Sequence, residues 1–354
     1  MNILTSKMGK LEHPIIQGGM GVGISLGELA GAVAREGCMG VISMVNIGYR
    51  EDDFYRNPFE ANKRAFKKEL LKARDIAKGK GMVAVNIMAA LSRFSDFVEL
   101  AVKEKVDAVI VGAGLPLNLP SLVETKDVLI APIVSSRKAL DLIMRTWKKK
   151  YDRLPDFVVL EGKEAGGHLG FKEKDFDDDE KNLENLTIDL VDYLKGVKEK
   201  YDLQIPLFVG GSVFDNEDLK KYNALGATGL QIGSRFIATE ECDASIGLKE
   251  MIIDNNSENL SVFISPVGMP GRGIENNFIR RVKGERVPSK SCVDCIKKCN
   301  PKVTPYCISD ALISAAKGDK ENGLFFCGAN IDRINKMSTV KEVISDILGK
   351  TEDV

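Results

Sequence analysis

The segment Glu161-Gly162-Lys163-Glu164-Ala165-Gly166-Gly167-His168-Leu169-Gly170 concentrates residue types that could do chemistry. It follows the apolar run Phe157 to Leu160, which reads as a buried strand. Ala165, Gly166 and Gly167 have small or absent side chains, so backbone N–H groups there could approach a ligand closely. His168 comes next, one of only two histidines in the chain. A histidine at a glycine-rich strand end is placed to touch a bound ligand and exchange a proton with it. The competing reading is a glycine-rich turn with a solvent-facing imidazole.

Other residues suggest what such a ligand would be. Gly210-Gly211-Ser212 and Gly233-Ser234-Arg235 each offer backbone amides and a hydroxyl, with a charge added by Arg235. Backbone amides of this kind hold phosphate, although plain turn chemistry would also use these glycines. Asn86 is a polar amide amid the apolar residues of Ala84-Val85-Asn86-Ile87-Met88. It must find a partner, whether a ligand ring edge, a neighbouring strand or a buried water. Cys292, Cys295, Cys299 and Cys307 form a Cys-x2-Cys-x3-Cys-x7-Cys cluster. Its first spacing permits zinc, while the whole run departs from the ferredoxin pattern. Zinc, an iron–sulfur cluster, and reduced thiols packing a helical appendage all stay open. Around it, Lys290, Lys297, Lys298 and Lys302, with Arg280, Arg281, Lys283 and Arg286, make a basic region. That region suits an acidic carrier protein or simply a solvated face.

Those residues need a scaffold. From Pro14 to Thr239, short apolar runs alternate with amphipathic or charged segments. The runs are Pro14–Gln17, Gly40–Met44, Met82–Met88, Ala108–Val111, Val128–Val134, Phe157–Leu160, Pro206–Val209 and Gly229–Ile232. Most are rich in Val and Ile on consecutive positions, as strands covered on both faces should be. Helices are predicted at Leu26–Arg35, Pro58–Lys78, Arg93–Lys105, Arg137–Lys149, Thr187–Lys200 and Asn216–Leu225, the last capped by Asp215. Pro116–Thr125 is the weakest helix candidate, and the charge run at 172–182 reads as a solvated loop or frayed helix start.

Eight strand–helix units match a (β/α)8 barrel. The rival is an open doubly wound sheet, which wants Gly-x-Gly-x-x-Gly after the first strand. Here Gly19-x-Gly21-x-x-Ile24 lacks the third glycine. Glycine instead recurs at successive strand ends, which suits loops opening on one barrel face. Barrels hold phosphate in the loops after strands seven and eight, where 210–212 and 233–235 fall. His13, just before the first strand, lies at the opposite face and reads as structural.

From about Glu240 the strand rhythm stops. The expected division is residues 1–239 as the barrel, 240–335 as a helical or irregular excursion on the substrate side carrying the Cys-rich segment, and 336–354 as a closing helix and tail. Val340, Val343, Ile344, Ile347 and Leu348 give that helix an apolar face.

The bulk composition narrows the function classes. The chain has 354 residues, 44% of them hydrophobic, enough for a large core. Its net charge of −1 gives no general argument for binding nucleic acid or an anionic membrane. No apolar stretch is long enough to span a bilayer, and Met1 to Lys7 lack the layout of a secretory signal. A cytoplasmic chain with reduced or metal-bound cysteines is expected.

A phosphate site alone does not identify the ligand. FMN carries one phosphate and a long planar ring, which would span the barrel mouth toward the first, third and sixth strands. The full set of motifs resembles the nitronate monooxygenase family, formerly called 2-nitropropane dioxygenases, and its relative, the FMN-dependent enoyl-acyl-carrier-protein reductases. The resembling pieces are residues 13–20, Val85-Asn86-Ile87, residues 164–170, Val209-Gly210-Gly211, residues 229–236, and Ser265-Pro266-Val267-Gly268-Met269-Pro270-Gly271-Arg272. The resemblance implies a TIM barrel binding FMN non-covalently. It places Gly19, Met20, Asn86, Gly166, Gly167, Gly210, Gly211, Gln231, Gly233 and Ser234 around the flavin, with Ala165 in the same turn, and makes His168 catalytic. The implied partners are an alkyl nitronate and dioxygen, or NAD(P)H and an enoyl thioester. A non-catalytic flavin sensor is a further alternative, and a homo-oligomer stays open. Some monooxygenases of the family have a lysine after the fifth strand; Ala131-Pro132-Ile133-Val134 has none, as in the reductases. The cysteine segment is expected to lie beyond the flavin contacts.

Overall fold

The computed structural model describes residues 8–289 and 291–350. The start of the chain, Lys290 of the basic region and the end of the tail lie outside the described residues.

All eight predicted strands form and close into one parallel barrel. In chain order the elements are β1 (Ile15–Gln17), α1 (Gly27–Arg35), β2 (Met39–Ser43), α2 (Pro58–Ala77), β3 (Met82–Met88), α3 (Phe94–Lys103), β4 (Ala108–Gly112), α4 (Leu119–Leu122), β5 (Leu129–Val134), α5 (Arg137–Tyr151) and β6 (Val158–Glu161). After them come β7 (Gly167–His168), α6 (Leu183–Tyr201), β8 (Leu207–Gly210), α7 (Asn216–Ala224) and β9 (Gly229–Ile232). The barrel strands run β1 to β6, then β8 and β9, and β9 returns to β1 through Ile15↔Leu230 and Gln17↔Ile232. The weak fourth helix is one turn, α4, begun by a Leu-Pro pair. The charged stretch 172–182 holds two short 3₁₀ turns.

Consecutive apolar residues work because alternate positions face different layers. Ile16, Val41, Ala84, Ile110, Ala131, Val159 and Phe208 fill the barrel interior, with Met8 and Leu11 in the same cluster. Their neighbours Ile15, Ile42, Val83, Val85, Val109, Ile130, Val158 and Leu160 pack outward on the helices. Continuing the inward alternation places Ser43, Asn86, Ile133 and Glu161 at the mouth, and all four line the cavity there. Helix α1 sits hard on β2: a side chain at Gly40 would bring its Cβ to 1.9 Å from the Ala30 carbonyl oxygen.

The excursion after β9 contains α8 (Ile246–Ile253), α9 (Asn277–Val282) and α10 (Ile308–Ala316), and α11 (Val340–Ile347) closes the chain. It is not only helical and irregular. A hairpin of β10 (Leu260–Ile264) and β11 (Pro270–Ile274) stands in it, and β11 pairs antiparallel with β7 through Gly271↔His168 and Arg272↔Gly167. The motif read as a turn is thus a short strand that anchors the excursion over the barrel mouth. Helix α1 has no cap of its own, and Asp243 of the excursion supplies one. Its carboxylate accepts the Leu26 and Leu29 N–H groups at 2.9 and 3.1 Å. No helix among the described residues is long and apolar enough to cross a membrane.

Candidate active site

The barrel mouth and the excursion enclose a cavity of about 240 Å³. Gly19 and Met20 after β1, Asn86 on β3, and Ala165, Gly166, Gly167 and His168 after β6 face it, as do Gly211, Gln231, Gly233 and Ser234. The sequence-predicted site is therefore brought together, with one exception. Gly210 lies behind the wall. It ends β8, its carbonyl accepts the Gly162 N–H at 2.9 Å, and a Cβ there would meet the Gln231 carbonyl oxygen at 2.8 Å. His13 is outside the cavity, with its ring 3.5 Å from Lys350 Nζ.

Backbone glycine is required where the loops after β8 and β1 come close to their neighbours. Gly211 has φ of +88°, and a Cβ on it would stand 2.9 Å from the Gly162 nitrogen. At Gly19 a Cβ would meet Asn86 Cβ at 2.4 Å. The amide of Asn86 donates to the Ile110 carbonyl at 3.3 Å, so the neighbouring strand meets part of its need.

The two glycine–serine loops, 210–212 and 233–235, meet a residue that the sequence reading missed. The Ser212 hydroxyl and Asn330 Oδ1 are 3.2 Å apart, and Ser234 Oγ accepts the Gly328 N–H at 2.9 Å. Asn330 lines the cavity, yet its buried Nδ2 has no hydrogen-bond partner. An unpaired buried donor beside two glycine–serine loops is a place for an anionic oxygen. Arg235 plays a different part from the one expected. Its guanidinium is held by Asp346 at 2.7 Å and by the Phe214 carbonyl, and stacks over the Phe214 ring. Its charge is already paired.

His168 Nε2 lies 2.8 Å from Ser265 Oγ in the turn between β10 and β11. That oxygen also accepts the Val267 N–H at 3.2 Å, which favours turning the hydroxyl proton toward the imidazole. The ring of Phe326 meets His168 edge-on at 5.1 Å. Burial pushes the imidazole down to about 4, so it is neutral at physiological pH. Glu161, passed over as part of a glycine-rich motif, ends β6 and also lines the cavity. Burial alone pushes its carboxyl up to about 8, so it too is neutral near pH 7. The cavity is thus lined by both a neutral base and a neutral acid.

The expected separation of the cysteine segment is overturned. Cys295, Ile296, Ile308 and Ser309 form part of the cavity wall. The segment folds back because Leu91 bridges to Ile296, the Ser92 N–H reaches the Cys295 carbonyl, and Ile308 and Leu312 pack with Val22 and Phe54. Among the described residues, no three His, Cys, Asp or Glu side chains converge closely enough to hold a single metal ion. The spacing-based zinc expectation finds no such centre.

The chain resembles known proteins along nearly its whole length. It is 27% identical to a probable nitronate monooxygenase of Staphylococcus saprophyticus, covering 80% of this chain and 81% of that one. It is 26% identical to one of Bacillus subtilis, covering 77% and 79%. The solved structure of FabK from Thermotoga maritima superposes with a TM-score of 0.74 at 25% identity, covering 99% of this chain and 96% of the other. A nitroalkane oxidase from Streptomyces ansochromogenes shares the fold, with a TM-score of 0.70 at 17% identity, over 98% of each chain. The model of the nitronate monooxygenase family matches residues 2–350. A TIM-barrel oxidoreductase with its polar groups gathered at the mouth, this chain belongs to the nitronate monooxygenase family.

Proposed function

We propose that the protein is an FMN-dependent nitronate monooxygenase, oxidising alkyl nitronates with dioxygen. The observation that carries the reading is the match to that family together with a cavity lined both by a neutral imidazole and by an unpaired buried amide donor. The residues present fit FMN. Asn330 Nδ2, Ser212, Ser234 and the amides of Gly211 and Gly233 suit its phosphate. Gly19, Met20, Asn86, Ala165, Gly166, Gly167 and Gln231 would surround its ring. When bound, FMN supplies electron acceptance from substrate and reactivity toward oxygen.

The chain's own residues bind and orient. A nitronate has already lost its α-proton, so the site needs no strong base. An imidazole held near 4 is a weak one, but as a neutral group it can donate a hydrogen bond to a nitronate oxygen. An anion lodged beside it would favour its protonation and tighten that bond. Ser265 fixes the ring's orientation, and Val267 from the same turn lines the cavity.

A second reading, an NAD(P)H-dependent enoyl-thioester reductase, has its own support. Ile133 occupies the cavity wall in the segment where some monooxygenases carry lysine, and the likeness to FabK extends over the whole chain. Anaerobic mixing of the yellow protein with propionate 3-nitronate, NADH and NADPH in turn separates the readings. Bleaching of the flavin absorbance by the nitronate alone is expected. Bleaching only by a pyridine nucleotide, reversed by an enoyl thioester, would replace the monooxygenase with the reductase.

A further inference from the structure

We propose that the cavity selects nitronates with an uncharged aliphatic tail, and that Ile133 near the end of β5 is the residue that sets this preference. The proposal rests on the monooxygenase reading and adds to it the class of substrate.

A nitronate needs one anion site, for its own nitro oxygens. A tail that carries a carboxylate needs a second, with a cation or several free donors, because an unpaired charge out of water is costly. Among the described residues that line the cavity, the only Asp, Glu, Lys, Arg or His side chains are Glu161, His168 and Arg235. Arg235 is bound to Asp346 and to the Phe214 carbonyl, so it offers no free charge. In the proposed reading His168 meets the nitronate, and the free amide of Asn330 meets the phosphate. Asn46 and Ser309 also line the cavity, but they are turned on their neighbours. The Asn46 amide donates to Ser309 Oγ at 2.7 Å, and the Ser309 hydroxyl donates to Cys295 Sγ at 3.0 Å. Lys297 follows the lining residue Ile296, yet it is exposed and its ammonium donates to the Ala89 carbonyl at 3.1 Å.

Ile133 occupies a position from which a barrel strand could supply the missing cation. The inward alternation of β5 brings its side chain to the mouth, where it is half-buried and lines the cavity. It lies against the bare backbone at the end of β4: a Cβ on Gly112 would come to 3.1 Å from Ile133 Cδ1. Met88 on β3 and Val267, Ile296 and Ile308 of the excursion continue the apolar wall. Glu161 shows what such a cavity does to a carboxylate. Burial alone pushes its own up to about 8, with no cation offsetting the loss of water. A substrate carboxylate in the same cavity meets the same desolvation, whereas an alkyl tail is favoured by leaving water.

The test compares molecules of one shape. Propionate 3-nitronate carries a carboxylate where 3-methylbutyl-1-nitronate carries an isopropyl group. Oxygen consumption by the FMN-loaded enzyme should give a kcat/KM roughly tenfold or more higher for the branched alkyl nitronate, with propionate 3-nitronate still oxidised. Ile133→Lys sets an ammonium in the wall and should narrow that ratio by roughly tenfold, chiefly through KM for propionate 3-nitronate. Ile133→Met keeps the wall apolar and should keep the preference. Anaerobic calorimetry with two unreactive carboxylates of the same shapes, succinate and 4-methylpentanoate, reads binding apart from turnover, and 4-methylpentanoate should bind more tightly by a similar factor. Equal or better use of propionate 3-nitronate by the wild-type protein would overturn the proposal. So would an unchanged ratio in an Ile133→Lys protein that still holds FMN. Oxidation of neither nitronate would instead sink the monooxygenase reading, and the proposal with it. If the lysine variant does not fold, the wild-type ratio and the two carboxylates still decide, and succinate bound as tightly as 4-methylpentanoate counts against the proposal.

Discussion

Asn330 shows how a single residue can escape a sequence reading and still matter. It sits 118 residues from Ser212 along the chain, and only folding brings the two side chains together. Its unpaired Nδ2 should meet the phosphate of FMN. Asn330→Asp puts a like charge there, so flavin content of the purified protein should fall at least tenfold, the cost of roughly 1.4 kcal/mol or more for repelling a buried anion. Asn330→Ala should lose less. Unchanged flavin in the Asp variant would move the phosphate elsewhere. His168, by contrast, was legible from type and spacing, because a histidine after two glycines at a strand end has few plain uses. His168→Ala should stay yellow while turnover drops by on the order of 10²-fold, the lower range for a positioned polar group. The loss should be smaller on a preformed nitronate than on a neutral nitroalkane or enoyl thioester, from or to which a proton must move. Equal, full turnover on all three would remove His168 from the chemistry.

Elements differ in how openly the sequence declares them. The barrel strands were readable because burial on both faces leaves consecutive apolar residues, as in Val158–Leu160 and Leu207–Val209. β7 was not. It is two residues long, glycine supplies one of them, and its partner lies a hundred positions away on β11. Nothing local distinguishes such a strand from a turn. The same is true of the α1 cap, for which Leu26 offers no side-chain acceptor and Asp243 arrives from beyond the barrel. That contact ties the excursion to the first helix, so it should be worth more than an exposed cap. Asp243→Ala leaves the Leu26 and Leu29 N–H groups without their acceptor, and urea unfolding should show a loss of about 2 kcal/mol, the upper end for removing a cap. A change within a few tenths would mean that water replaces the carboxylate. The cysteine segment failed to announce its place for a third reason. Its bridge to Leu91 and its packing under α10 are tertiary, and spacing alone cannot say which wall a loop will join.

Across the whole molecule, the two neutral groups of the cavity set opposite limits on stability. His168 is lowered from an ordinary 6.5 to about 4, so the unfolded chain takes up a proton first as pH falls between those values. The stability that neutral His168 preserves is whole above 6.5 and lost toward 4. Glu161 runs the other way. Its carboxyl is raised from 4.5 to about 8, so between those values the unfolded chain binds fewer protons than the folded one. Stability then falls as pH rises through that window, with the full penalty above 8. Glu161→Gln keeps the shape and removes the ionisation. The variant and wild type should match near pH 4.5 and diverge steadily above it. By pH 8 the variant should be more stable, by on the order of 1–3 kcal/mol once water in the cavity is allowed for. Urea unfolding of both proteins at equal flavin loading, from pH 4.5 to 8.5, reads the difference directly. Parallel curves across that range would mean that Glu161 ionises in the folded protein as it does in water, and that the site holds a carboxylate instead of a neutral acid. A carboxylate there would repel a nitronate, so the same curves bear on which substrate the cavity can accept.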